Sequence, residues 1–583
     1  MAFTSVVVDG APRPHSPEYD DSMDDADSGF FTTTTDGGSV FGEDGPSGAS
    51  RGGSRHGGSI RGGAGGSYAG GSGGSIGADV DAHLGARTDA ERALCVCRVV
   101  VPDADPGLGF LVRHEGRDRL MTTHALIDSP ATAKTARVTF RYGDSKSKRV
   151  NVALRPKDYF KTDLEIGYTL VACEGSDLET LAAESLNLPA WDLDTLALDT
   201  PLTSVGGDAA RRNLRKASHR VRKVKGPFFW YTGSEEEASM SVSEGAPLFR
   251  NGSELVGLHL GFDEDADLDW GMQLCAATAH IFLPRVVKLM RERRAQAVIQ
   301  SRGSLALAYV SYRSEPARVD VVESGGVSVI VAGLRRHMTE VLVVQQACGA
   351  LGNIAAGDDD RCQDSIIRAD GIRALVDALQ VHMADPRVAE GCLRAFANIA
   401  VGPDARKQKM IDEKALSVIV QSMDMHGLIA SIQEAGCRSL ASISFGSNKR
   451  KDTVIEAGGP RCVVRAMTEH PDDGTVQLNG VIALLDVAAG GGTRTAHVHE
   501  VDGVRVLVDA MRAFPASAKI QEYACMALWN IAGGDKDRRK RVREAASGLP
   551  RDVRDRFDDN TGVQEASKDL IKRLDGKDRC SIM

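Results

Sequence analysis

The sequence predicts a multidomain chain: an all-β barrel domain followed by an all-α solenoid, both behind a disordered N-terminal tail. Three observations predict it. The phrase VQQACGALGNIA at 344–355 returns as VAEGCLRAFANIA, IQEAGCRSLASIS, VQLNGVIALLDVA and IQEYACMALWNIA. Its Asn353 position is held next by Asn398, Ser442, Asp486 and Asn530, at steps of 45, 44, 44 and 44 residues. A fixed period in this range belongs to stacked helical repeats. Upstream, over 90–293, the apolar period changes from 3.6 to 2, as short strands require. Before that, 45–77 is almost entirely Gly, Ser and Arg.

At 583 residues the chain is too long for one core. Its net charge of −9 argues against wholesale nucleic-acid binding, which needs a basic face. No apolar stretch has signal-peptide character and no apolar run approaches about 18 residues, so neither secretion nor a spanning helix is expected. The 11 cysteines are scattered without a CxxC pair. Cys348, Cys392, Cys437 and Cys525 fall inside repeat helices as small apolar packing residues, which fits reduced thiols in a cytoplasmic protein. Cys95 and Cys97 stand only two apart and make a poor zinc signature, so no metal site or cofactor is expected.

The tail, 1–88, carries an acidic run at 20–27 and two Arg-Gly-Gly steps at Arg51 and Arg61. Its composition buries too little apolar area to offset chain entropy, so it is read as disordered. The Arg-Gly-Gly steps fit a flexible linker or an RNA-binding segment. In the domain 90–293, strands are expected at 94–101, 109–112, 137–142, 150–154, 168–173, 226–231 and 254–260, ending in one helix at 279–292.

Three blocks of this domain carry more. They are GLGFLV (107–112) with LMTTHALI (120–127), DLEIGYTLVAC (163–173) and SEGAPLFRNGSELVGLHLG (243–261). Together they resemble the trypsin-like serine proteases, in the branch without disulfides. The resemblance places His124 at the general base, Gly167 where the orienting aspartate belongs and Glu244 where the nucleophilic serine belongs. Val242 takes the place of an oxyanion-hole glycine. Losing one triad member alone costs on the order of 10⁴-fold in rate. With two missing, the expectation is an inactive barrel with a remnant His124 whose old cleft still binds a peptide. The alternative is an active endopeptidase targeted by its solenoid, with Ser243 or Ser241 as nucleophile and Asp163 or Glu165 reaching the histidine. Between these blocks, RRNLRKASHRVRKVK runs from Arg211 to Lys225 and reads as the one strongly basic run. It suits a solvated face, an acidic partner or an anionic membrane surface.

The repeat domain, 294–574, has a second marker. Gly326, Gly371, Ala415, Gly459 and Gly503 precede apolar runs at the same steps, so each unit is read as a helix, a loop and a second, more buried helix. Tyr309 and Arg573 extend the ladder at its two ends, the last unit being otherwise charged. The phrase, the period and the glycine resemble armadillo repeats. That resemblance implies a groove in which Asn353, Asn398 and Asn530, with Ser442 and Asp486 as departures, hold the backbone of an extended peptide. The other reading is that these side chains only bond between helices. The tryptophans of nuclear-import receptors are absent, with Gly349, Arg394 and Met526 in their places.

The flexible tail 575–583 ends Cys580-Ser581-Ile582-Met583, a CaaX pattern whose Met favours a farnesyl group on Cys580. One lipid gives only marginal binding and a second signal is normally needed; the run from Arg211 to Lys225 is the candidate. The whole reads as a scaffold on the cytoplasmic face of a membrane, with a protein partner in the groove.

Overall fold

The computed structural model describes residues 95–140, 149–174, 186–188, 196–206, 215–233, 243–251, 254–263, 265–266, 268–533 and 535–576. Strands β1 (Val96–Val100), β2 (Gly107–His114), β3 (Arg117–Thr123), β4 (Arg137–Phe140), β5 (Val150–Leu154), β6 (Phe160–Asp163), β7 (Tyr168–Glu174) and β8 (Leu186–Asn187) form the first sheet. It closes as the ring β1-β2-β3-β7-β5-β4, with β6 paired to β7 and β8 parallel to β2. Strands β9 (Pro201–Gly206), β10 (Arg215–Lys225), β11 (Phe228–Gly233), β12 (Pro247–Arg250), β13 (Glu254–Asp263) and β14 (Leu268–Gln273) close as β9-β10-β11-β14-β13-β12. Setting β6 and β8 aside, both rings run first, second, third, sixth, fifth, fourth. The two antiparallel barrels therefore share one connectivity and are trypsin-like in shape. Among the described residues closure pairs every strand of each ring on both sides, leaving only the attached β6 and β8 with a free edge, and each barrel fills its own core. Phe140, Leu111 and Val171 fill the first; Val221, Phe229 and Tyr231 fill the second.

The single helix expected at 279–292 is two, Leu274–Ile281 and Leu283–Glu292, broken at Phe282. Pro284 has no N–H to give the carbonyl of His280, so the helix cannot run through. That carbonyl accepts from Lys161 Nζ at 3.0 Å instead.

From Ala297–Val310 onward the chain is a solenoid of the armadillo type. Each unit has three helices rather than the expected two. The second complete unit, for example, is Asp360–Arg368, Gly371–Val381 and Pro386–Ile399. Several first helices lack an apolar period: Asp404–Asp412 buries only Arg406, Lys407 and Met410, and Asn448–Glu456 only Arg450, Lys451 and Val454. The turn before each second helix is also built differently from the expectation. The left-handed residue precedes the marker, at Gly325, Asp370, Lys414, Gly458 and Asp502. The marker is kept small by close approach of the preceding helix: a Cβ on Gly503 would lie 2.5 Å from the carbonyl oxygen of Val498, although the unit with Ala415 accommodates one.

Two further ladders bond the helices, one between units and one within them. His382, His426 and His470 contact backbone carbonyls of the preceding unit, at Met338, Met383 and Gly427, over 2.7–2.8 Å. Gln433, Gln477 and Gln521 donate to the last carbonyls of the second helices, for Gln477 those of Met467 at 2.7 Å and His470 at 2.8 Å. The glutamine bonds satisfy helix-terminal carbonyls that have no partner within the helix.

The first barrel is bonded to the solenoid. Asp163 Oδ2 accepts from Ser314 Oγ at 2.7 Å. His280 bridges the parts, with Nδ1 3.2 Å from the Tyr168 hydroxyl and Nε2 3.0 Å from Asp320 Oδ2. No helix among the described residues is long and apolar enough to cross a membrane.

Candidate functional sites

The residues at the triad places come together between the barrels. His124 follows β3, and its backbone N–H donates to the Gly167 carbonyl at 3.2 Å. Glu244 lies in the turn before β12, held by Leu108 N–H donating to its carbonyl at 2.7 Å. Its carboxylate accepts from Thr123 Oγ1, one residue before the histidine. Burial pushes the Glu244 carboxyl above its usual range, and the Thr123 bond opposes this. Among the described residues Glu244 and His124 make no bond to each other.

The ring of His124 is oriented by a residue the sequence did not suggest. Nδ1 lies 2.8 Å from Thr162 Oγ1, on β6. Thr162 Oγ1 is also 2.9 Å from the Tyr168 carbonyl and 2.6 Å from Thr169 Oγ1. Whenever its proton goes to either of those oxygens, the ring donates from Nδ1 and Nε2 carries the lone pair. That is the tautomer a general base needs, but a neutral hydroxyl cannot stabilise the imidazolium that a base becomes. No side chain takes the aspartate's part from position 167. Gly167 has φ +87°, and a Cβ there would meet the Leu260 methyls at 3.1 Å.

Of the alternative constellation, neither Asp163 nor Glu165 bonds His124 among the described residues. Asp163 is 6% exposed and its carboxylate is committed to the Ile166 N–H at 2.7 Å and to Ser314. Glu165 is exposed. Ser243 is half-buried in the turn, where its carbonyl accepts from Ala246 N–H at 3.3 Å. Ser241 and Val242 lie outside the described residues, as do the first four residues of the run from Arg211 to Lys225; the rest of that run forms β10.

In the solenoid the third helices pack on one another and carry the predicted ladder. Its first two members are used inside the protein. Asn353 Nδ2 donates to the Ala308 carbonyl at 2.9 Å, and Oδ1 accepts from Arg394 at 3.0 Å. Asn398 repeats the pattern with the Gly352 carbonyl at 3.1 Å and Arg438 at 3.1 Å. The side chains of Ser442, Asp486 and Asn530 form no bond among the described residues. The unspent polar groups thus lie in the C-terminal half of the row. Burial pushes the Asp486 carboxyl up to about 7, and Lys451 and Lys407 oppose the shift.

Two neighbouring stripes were missed. Two helical turns before ladder positions stand Glu390, Glu434, Glu522 and Glu565. Burial raises Glu390 to about 7, with Glu434 adding and Arg394 opposing. Glu522 is raised by burial and by Glu565. One turn beyond the row, Val401 and Phe445 are 53% and 45% exposed. The 44-residue spacing of these positions was available in the sequence. Cys580 lies outside the described residues.

No protein-family model matches the sequence, and no curated protein does either. Among solved structures, the chain is similar to an engineered protein at 28% identity, covering 50% of this chain and 68% of that one, TM-score 0.44. A designed armadillo repeat protein is 25% identical over 42% of this chain and 99% of its own, TM-score 0.37. A chain from a study of the interaction between cadherin and beta-catenin is 14% identical over 51% and 58%, TM-score 0.45. The assignment of the solenoid rests on its own helix triplets.

Proposed function

We propose that this chain is a membrane-tethered protein-binding scaffold. The inner face of the solenoid holds an extended segment of a partner, the two-barrel unit is a non-catalytic second module, and a farnesyl group on Cys580 is the tether. The observation that carries the binding role is the row of unbonded polar side chains at Ser442, Asp486 and Asn530, flanked by the glutamate stripe and by exposed Val401 and Phe445. A partner segment with cationic and apolar side chains complements that face. A designed armadillo repeat protein similar to this chain is known in complex with the peptide (KR)4, which fits the same chemistry.

Panning a peptide library on the full chain is expected to yield such segments. The double variant Val401→Ala/Phe445→Ala should bind them about tenfold more weakly, the loss of one or two apolar anchors. Both side chains are exposed, so melting should stay within a few degrees. Unchanged affinity would remove the groove from the reading. For the barrels, a fluorophosphonate probe on the full chain should leave Ser243 and Ser241 unlabelled, because His124 has no carboxylate behind it. An adduct on either serine would establish the endopeptidase reading instead.

A further inference from the structure

The first helix of the last unit, Lys536–Ala545, reads KDRRKRVREA, and Val542 is its buried residue. Its cations are Lys536, Arg538, Arg539, Lys540, Arg541 and Arg543, against Asp537 and Glu544. A solenoid must end on a polar face, but capping does not dictate the sign of the charge. The interior units neutralise the equivalent cations. Arg406 pairs with Asp360 and Asp364 at 2.8 Å, Arg450 with Asp404 at 2.7 Å and Arg494 with Asp452 at 2.8 Å. In the last unit this compensation stops. Arg538 turns to the carbonyls of Ile531 and Gly533. Among the described residues only Lys540 of the six forms an ion pair, with Glu544 at 3.9 Å. The Asp535 carboxyl is held below its usual range first by the Arg538 backbone N–H, and Arg538 and Arg541 act on it only as neighbouring charges that help.

The helix also borders the point where the C-terminal tail leaves. Arg543 donates to the Leu574 carbonyl, and Arg551 lies 3.8 Å from Asp575. A Cβ on Gly576 would stand 3.9 Å from Arg539. Cys580 is four chain steps beyond Gly576, a reach of at most about 14 Å. Against the same helix lies a shallow pocket of about 260 Å³ lined by His499, Arg505, Arg512 and Arg541, with Asp502 and Asp509. Arg541 donates to His499 Nε2 at 2.9 Å, which leaves the proton on Nδ1, and Nδ1 is buried without a partner.

We infer that this end of the solenoid, the Lys536–Ala545 helix with the arginine-lined pocket beside it, is a docking surface for an anionic lipid bilayer. It supplies the second signal that a single lipid on Cys580 requires; the anchor in this statement rests on the farnesyl reading above. Lipid phosphates fit the exposed cations of this helix; in the pocket beside it Asp509 already pairs with Arg505 at 3.2 Å and lies 3.8 Å from Arg512, which leaves Arg541 as its contribution. The run from Arg211 to Lys225 is displaced from this role. Its described part is β10 of the second barrel, which precedes the solenoid, and along the solenoid six third-helix steps of about 8–10 Å separate Ala297–Val310 from Thr561–Leu574, where the tail begins. Asp199 already engages two of its arginines there, Arg222 at 3.0 Å and Arg220 at 3.3 Å.

The test is sedimentation of the full chain, with and without enzymatic farnesylation, on phosphatidylcholine vesicles with and without phosphatidylserine. Each cation near an anionic surface is worth about fivefold in partitioning. The triple variant Lys536→Gln/Lys540→Gln/Arg541→Gln should therefore bind phosphatidylserine vesicles on the order of 100-fold more weakly. The variant Arg220→Gln/Arg222→Gln/Lys223→Gln should bind as the parent does. All six side chains are at the surface, and circular dichroism melting checks that both variants fold. Equal binding by the first variant, loss of binding in the second alone, or indifference to phosphatidylserine each overturns the surface. So does binding to polyglutamate without binding to the vesicles, which would make the partner an acidic protein. If Cys580→Ser leaves sedimentation unchanged while the first variant loses it, the docking surface stands and the farnesyl anchor fails.

Discussion

Replacing Gly245 with alanine is expected to cost the two-barrel unit on the order of 4 kcal/mol or more, enough to unfold it or make it insoluble. A Cβ at this position would lie 1.9 Å from the carbonyl oxygen of Leu108. The backbone fixes where the Cβ sits and the atom it meets is backbone, so no rotamer relieves the collision. Leu108 cannot retreat either. Its N–H donates to the Glu244 carbonyl at 2.7 Å, and its carbonyl accepts from Thr122 Oγ1 at 2.8 Å. Gly245 is fixed from the other side by its N–H donating to the His259 carbonyl at 3.0 Å. Its φ of +88° adds about 1–2 kcal/mol for any L side chain. These bonds tie β2 of the first barrel to the turn before β12 of the second, so the loss spreads to both. Gly116→Ala is the control: φ is +72°, but nothing lies within 4 Å of the added carbon. It should cost only the conformational term. The measurement is the urea midpoint of the barrel transition. A G245A midpoint equal to that of G116A would mean that the two barrels are not locked at this turn.

The solenoid was legible because its signal is periodic. Five copies of one phrase at steps of 44 or 45 residues fix where third helices stand, and the Gly326-type marker fixes where second helices begin. The first helices escaped because sequences such as DARKQKMID and NKRKDTVIE bury three residues each and show no apolar stripe. The closed barrels were legible as a class from period-two runs. The break at Phe282 needed attention to Pro284. In the cleft, residue types at the triad places could be read, but their partners could not. Thr162 is 38 residues from His124, and Thr123 is 121 from Glu244, contacts that only folding creates. The basic helix was missed for a different reason. Its charge resembles ordinary helix polarity until the acidic partners of the interior units are seen to be missing beside it.

Asp486→Asn is expected to stabilise the solenoid while weakening partner binding. Three other ladder positions carry asparagine, and Asn398 shows what the amide does there: it bonds a carbonyl of the preceding helix, while the arginine it also meets, Arg438, is replaced by Met526 at the corresponding place beside position 486. Asp486 makes no such bond among the described residues. Lys451 and Lys407, the cations opposing its shift, give their Nζ protons to the Ala489 carbonyl at 3.2 Å and the Gly402 carbonyl at 3.0 Å. Burial therefore lifts its carboxyl to about 7, against about 3.9 in an unfolded chain. Below about pH 4 both states hold the proton and the site costs nothing. Between about pH 4 and 7 the folded state keeps a proton that the unfolded state has lost, so stability falls as pH rises. Above about pH 7 the penalty is complete, about 2–4 kcal/mol. The amide removes it: Asp486→Asn should gain about that much near pH 8 and almost nothing near pH 4, read from urea midpoints at the two values. A loss of stability near pH 8, or a gain independent of pH, would show that the carboxylate is satisfied. A natural sequence that leaves such a charge in place retains a cost to the free protein. A cation on the bound segment would cancel that cost by pairing with the carboxylate. Binding of such a segment should release a proton below about pH 7, strengthen as pH rises through it, and lose that dependence in the variant.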